Sequence, residues 1–360
     1  MKNSLKITVS LFVILYAVCL IIFFKDISEY VKEAVSTCLN VIIPSLYGFM
    51  IISGFITSSG LYRFFSKPFG WVARHIFKLP EDLFTIFLTS LFAGYPVGAK
   101  MLGELYNSGT INKATAERML GFCYMGGPAF FCGIAGLRIY SNLHTGIIIY
   151  ICILFSNLLF AVISGIKFPI PVSTKQNTSY NISSECFISS VYSGGTGILK
   201  ICAAIIFFSS FTAIIEASGI LINIASLLHM VSRIEFSDCM CILKALLEIS
   251  NIGQLSPKPE LLPLVTALMS FGGFCVIFQT SGFIPKELST HIFYFSRVII
   301  AVLSYLCCKI VIYFIGTNVV IPTMVQTSLY RQNSPIPSIF LLIMTILLLS
   351  NNFIAKSKKM

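Results

Sequence analysis

Charge is what this sequence lacks most. Only 11% of its 360 residues are Asp, Glu, Lys or Arg, against about 25% in an ordinary soluble domain. That is too little to cover a water-soluble globule of this size. The strings that position a nucleotide phosphate, a catalytic zinc or a nucleophilic serine are missing too: no Gly-x4-Gly-Lys-Ser/Thr, His-Glu-x-x-His or Gly-x-Ser-x-Gly occurs. No enzyme class is indicated. Histidines are few (His75, His144, His229, His291) and scattered. Most cysteines are singletons in apolar stretches, such as Cys19, Cys132 and Cys275, where they act as small hydrophobes. The close pairs Cys239/Cys241 and Cys307/Cys308 have no histidine or second pair at zinc-site spacing. Neither metal nor cofactor is expected. No basic stretch is long enough to track a phosphate backbone, so nucleic acid is not an expected partner.

What is present is apolar length. Hydrophobic residues make up 56% of the chain, and its mean hydropathy is +0.88. Residues 5–24, 38–58, 144–165, 291–315 and 336–354 form runs that can cross a hydrocarbon core of about 30 Å as helices. The expected fold is an all-α integral membrane protein, with the bilayer as a partner. The run from residue 5 ends in Leu20-Ile21-Ile22-Phe23-Phe24-Lys25 with no small-residue cleavage site, and reads as a retained span. Lys2 and Lys6, then Arg63, Lys67, Arg74 and Lys78, then Lys356, Lys358 and Lys359 form three basic flanks. The excess of cations assigns all three to the cytoplasmic side.

The chain divides into an N-terminal span and connector (1–37), a first half (38–165), a polar linker loop (166–197), a second half (198–315) and a C-terminal span with a basic tail (316–360). The linker holds Pro169, Pro171, a Ser/Thr/Asn-rich run and Gly194-Gly195, all turn-prone. The halves resemble each other. Ser59-Gly60 and Ser218-Gly219 close matching spans, and Gly126-Gly127 with Gly136 is echoed by Gly272-Gly273 with Gly282. Each half also contains an apolar segment broken by turn residues, 84–102 and 240–253. Such breaks suggest re-entrant or broken helices, because non-helical backbone at membrane depth is tolerated only when protein or a wet cavity receives it.

Candidate site residues cluster at the breaks. Gly94, Tyr95 and Pro96 interrupt the first, with Lys100 and Glu104 following. Lys100 either draws an anion to the mouth of a re-entrant loop or pairs with Glu104 one turn away. Gly126, Gly127 and Pro128 form a turn into a helix, offering free N–H groups, or alternatively a close helix contact. In the second half Glu248, Ser250 and Asn251 lie in the broken segment and Gln279 follows Gly272-Gly273; a carboxylate in an apolar stretch needs a cavity or a partner. Arg138 and Arg297 read as span-flanking topological charges, and Glu216 as interfacial.

The strings Pro44-Ser45-Leu46, Ala93-Gly94-Tyr95-Pro96-Val97-Gly98-Ala99-Lys100, Gly109-Thr110-Ile111 and Ala116-Glu117-Arg118-Met119-Leu120 resemble the YlbJ sporulation integral membrane proteins, within the nucleoside-recognition Gate-domain group. Leu247-Glu248-Ile249-Ser250 and the run from Phe271 to Gln279 resemble the second-half motifs of the same family. The chain departs from the pattern at Gly126-Gly127-Pro128, where Ser-Asn-Pro is expected. The resemblance implies two Gate-type repeats and transport of dipicolinic acid, or a similar small anion, across the outer forespore membrane. A small anionic solute is then the expected ligand, and a homo-oligomer is compatible with it. The competing reading is a scaffold or assembly protein of the spore envelope that transports nothing.

Overall fold

The computed structural model describes residues 2–167 and 180–316, with Ile339 and Ile343 beyond them. Apart from those two, the run 336–354, the tail with Lys356, Lys358 and Lys359, and linker residues 168–179 lie outside the described residues. Every regular element among the described residues is helical. Among these residues five helices are long and apolar enough to cross a membrane: Phe24–Ser58, Leu143–Lys167, Ser184–Ala217, Pro259–Ser281 and His291–Ile315. Ile220–Ser232 and Phe236–Leu247 would make a sixth span if taken together, bent by 119° between them.

Helix α1 (Lys2–Ile22) leads into α2 (Phe24–Ser58), which starts well before the run expected at residue 38. Pro44 has no N–H for the carbonyl of Asn40. The helix passes it through a wide turn at Cys38–Ile42, where Ile43 N–H reaches back five residues to the Cys38 carbonyl. Gly60, in the left-handed region at φ 79°, starts a short connection of α3 (Leu61–Ser66) and α4 (Gly70–His75). Then come α5 (Phe84–Ala93), α6 (Tyr95–Asn107), α7 (Lys113–Leu120), α8 (Pro128–Ile139) and α9 (Leu143–Lys167).

Helix α10 (Ser184–Ala217) opens at a Ser183 cap whose hydroxyl accepts from Cys186 N–H at 3.2 Å. The linker expected over 166–197 is therefore helical from residue 184 onward, Gly194-Gly195 included. The reason is packing. A Cβ on Gly194 would come within 3.0 Å of Ile51, and one on Gly197 would collide with Met50. These glycines let α10 lie directly on α2, the usual device of helix contacts in lipid.

The chain continues through α11 (Ile220–Ser232), α12 (Phe236–Leu247), α13 (Leu262–Phe271), α14 (Gly273–Ser281) and α15 (His291–Ile315). Glu216, near the end of α10, pairs with Lys244 of α12 at 2.7 Å and accepts from the Tyr30 hydroxyl, tying three helices together. Lys258 bridges Glu235 and Asp238, each at 2.9 Å, and closes the loop before α13. Glu235 and then Asp238 hold the Lys258 ammonium above its usual range.

Neither 84–102 nor 121–137 is one continuous helix. The first is α5 and α6, joined at Gly94 with φ 110° and ψ 163°, a conformation open to glycine alone. The second begins in a turn at 121–123, runs through irregular backbone to an extended Gly127, and becomes helical only at Pro128.

Candidate functional site

The helix breaks come together. Gly127 packs on the Phe92 carbonyl: a Cβ there would lie 2.9 Å from that oxygen and 3.8 Å from Gly94 N. Gly126 lies against the Tyr95 and Phe131 rings, and Gly272 against the Tyr124 hydroxyl and the Tyr95 ring. Gly273 closes the circle against the Ala245 carbonyl and Ile249 N. All four breaks, at 94, 121–127, 248–249 and 272, are therefore joined in one network of contacts.

Side chains satisfy the backbone freed there. Tyr95 donates to the Met269 carbonyl at 2.5 Å and Tyr124 to the Phe271 carbonyl at 3.1 Å, capping the last turn of α13. Arg297 of α15 is 0% exposed. It donates to the Tyr124 carbonyl at 3.0 Å and the Gly121 carbonyl at 2.5 Å, and its guanidinium lies 4.3 Å from the centre of the Tyr124 ring. Arg118 does the same elsewhere, donating to the carbonyls of Phe77 and Lys78. Reading Arg297 as a span-flanking charge was wrong: it is a clamp on the carbonyl end beyond α7. Its sequence signal was weak, since one arginine seven residues into an apolar run looks like a boundary.

One turn beyond Pro96, Lys100 is 4% exposed. Its ammonium lies 2.7 Å from Glu104 Oε1, which also accepts from the Ser193 hydroxyl at 3.3 Å. The pairing that the i,i+4 spacing allowed is formed, but in the wall of a cavity rather than at an open surface. A cavity of about 480 Å³ lies on one side, lined by Gly54, Tyr62, Arg63, Glu104, Ser190 and Ser193 among others. A second of about 290 Å³ is lined by Lys100, Glu104, Asn107, Ser193, Thr196 and Lys200. The two share Glu104 and Ser193 in their walls and adjoin as a polar vestibule bounded by α2, α6, α10 and residues 282–285. Arg63, Lys100 and Lys200 set three cations in its walls against the single carboxylate of Glu104.

Glu248 lies in a different place. It is 5% exposed, and it caps the short turn that follows it. Its carboxylate accepts from Ser250 N–H at 3.1 Å and from the Ser250 hydroxyl, while Asn251 Nδ2 donates to the Glu248 carbonyl at 3.0 Å. With Gln254, Tyr30, Glu33 and Arg138 these residues enclose about 30 Å³, room for about one water.

The structure thus joins Gly94, Tyr95, Pro96, Gly126, Gly127 and Pro128 at the breaks. It places Lys100 in the vestibule and Glu248, Ser250 and Asn251 around the small enclosure. Gln279, 7% exposed, donates to Cys275 Sγ of its own helix at 3.1 Å and lines none of these cavities. Sequence reasoning missed Ser190, Ser193, Thr196 and Lys200. The available signal was the recurrence of small residues at Cys186, Ser190, Gly194 and Gly197, one face of a helix at three- and four-residue steps. Within the described residues no group of three or more His, Cys, Asp or Glu side chains could hold a metal.

Comparison with known proteins yields one informative likeness. The chain is similar to the sporulation integral membrane protein YlbJ of Bacillus subtilis (strain 168), 28% identical over 121 residues, which is 34% of this chain. The match spans 30% of that protein's length. No family model matches, and no solved structure matches.

Proposed function

We propose that this chain is a non-enzymatic, multi-pass permease that moves a small anionic solute during sporulation. The observation that carries the reading is the vestibule, in which three cations face one carboxylate beside converging helix breaks. A solute carboxylate can displace Glu104 from Lys100, exchanging one charge-assisted hydrogen bond for another of similar strength. Arg63 and Lys200 add attraction that water screens poorly in a narrow cleft.

Two Gate-type repeats account for the architecture. A helix of 35 residues (24–58) and one of 34 (184–217) are each followed by a serine and a left-handed glycine, Ser59-Gly60 and Ser218-Gly219. Later come helices of 25 residues, 143–167 and 291–315. Between them lie the broken segments, which on this reading are re-entrant elements that the solute passes as the halves rock.

The likeness to a sporulation protein, together with the cationic vestibule, favours dipicolinate, a small aromatic dianion, as the solute. The outer forespore membrane is then the place of action. The test is the dipicolinate content of spores lacking the chain, with uptake of pyridine-2,6-dicarboxylate by proteoliposomes as its counterpart. Depleted spores and protein-dependent uptake are expected. Normal content combined with a defective envelope would overturn the permease in favour of a scaffold.

A further inference from the structure

The connection between α2 and α5 has a face that the permease reading does not use. Along 62–77 the buried residues are Tyr62, Ser66, Gly70, Ala73 and Phe77, at steps of four, four, three and four. That is a single helical stripe lying against the protein. The segment does not cross the bilayer, because α3 and α4 have six residues each, about 9 Å of rise apiece. It turns one stripe inward, with Val72 half-buried beside it, and most of its other side chains outward.

The outward face has two kinds of side chain. Phe64, Phe65, Phe69, Trp71 and Ile76 are exposed, Trp71 by 66%. Among them stand the exposed cations Lys67, Arg74 and Lys78, while 61–80 contains no acid. Arg74 is engaged by Glu81 at 2.8 Å. Among the described residues Lys67 and Lys78 make no ion pair, and Lys67 rests its ammonium 5.9 Å from the centre of the Phe64 ring. Such a mixture suits neither water nor hydrocarbon. Aromatic rings prefer the headgroup level, and lysines there lay their stems on apolar surface while the ammonium reaches the phosphates.

We infer that residues 64–78 form an in-plane docking surface for anionic phospholipid headgroups, with Trp71 and the phenylalanines inserted at the acyl boundary and Lys67 and Lys78 holding phosphates. Charge complementarity selects an anionic lipid over a zwitterionic one, because juxtamembrane lysines attract anionic headgroups within about a Debye length. The inference stands apart from the proposed solute.

Trp71 is the only tryptophan in the chain, so its fluorescence reports this surface alone. The full chain is reconstituted in nanodiscs of mixed phosphatidylglycerol and phosphatidylcholine, with brominated acyl chains carried by one lipid or the other at equal mole fraction. Quenching of Trp71 by the brominated phosphatidylglycerol is expected to exceed that by the brominated phosphatidylcholine about threefold. The Lys67→Gln/Lys78→Gln double variant, altered only at exposed side chains, is expected to bring the ratio to about one, as is high salt. A wild-type ratio near one would overturn the inference, as would unquenched Trp71 with both lipids or an unchanged ratio in the double variant.

Discussion

Lys100 and Glu248 are both charged, both at most 5% exposed, and both within six residues of a helix break, yet the protein satisfies them in opposite ways. Lys100 is held by another side chain, Glu104, in the wall of a roomy cavity. Glu248 is held by the backbone and hydroxyl of Ser250 around a space fit for about one water. A charge paired with a mobile side chain beside open space can change partners. A charge that caps a turn cannot do so without undoing the turn. Arg297, whose hydrogen bonds among the described residues go to backbone carbonyls and the Ser296 hydroxyl, belongs with Glu248.

The largest effect should therefore come from the backbone-bound charges. Arg297→Met removes two hydrogen bonds from a charged donor, each worth about 1.5–3 kcal/mol, and leaves the buried carbonyls of Gly121 and Tyr124 bare. A loss of about 3 kcal/mol or more is expected, read as a lower Tm in detergent and low abundance. Near-wild-type Tm would show that these carbonyls find other donors, and the distinction would fail.

Glu248→Ala comes next. It deletes a cap worth about 1–2 kcal/mol, while Glu248→Gln keeps an acceptor for Ser250 N–H and should lose about half as much. Thermal unfolding of the two variants sharpens the contrast. Equal stability of both, with equal loss of solute uptake, would instead make Glu248 a solute ligand.

Lys100→Gln should have the smallest effect on folding, about 1 kcal/mol or less, because Glu104 is a third exposed and can be solvated. Its effect belongs to function: one charge-assisted bond to the solute is worth about tenfold in uptake. Lys100→Arg should restore uptake only in part, since the planar guanidinium presents its donors differently. Instability as severe as that of Arg297→Met would place Lys100 among the structural charges.

Much of the membrane architecture was legible because it depends on local quantities. An apolar run needs no partner to be recognised, and Gly94-Tyr95-Pro96 breaks a helix whatever surrounds it. The start of α10 was hidden for the converse reason. Ser183 through Gly195 carries turn-prone residues, and only α2, packed closely on Gly194 and Gly197, makes helix the better state. Arg297 was misread because its acceptors are carbonyls more than 170 residues away, released by a break whose location says nothing about who repairs it.

By itself the sequence determined the solvent, the helical class and the sites where helices must stop. Each follows from side-chain transfer energies and backbone sterics within a few residues. Tertiary structure alone decided that the four breaks meet, that Lys100 opens on a vestibule walled by α10, and that Glu248 closes on its own turn. Those outcomes depend on which distant groups come within hydrogen-bond reach, a few ångströms, and that distance is set by how the helices pack.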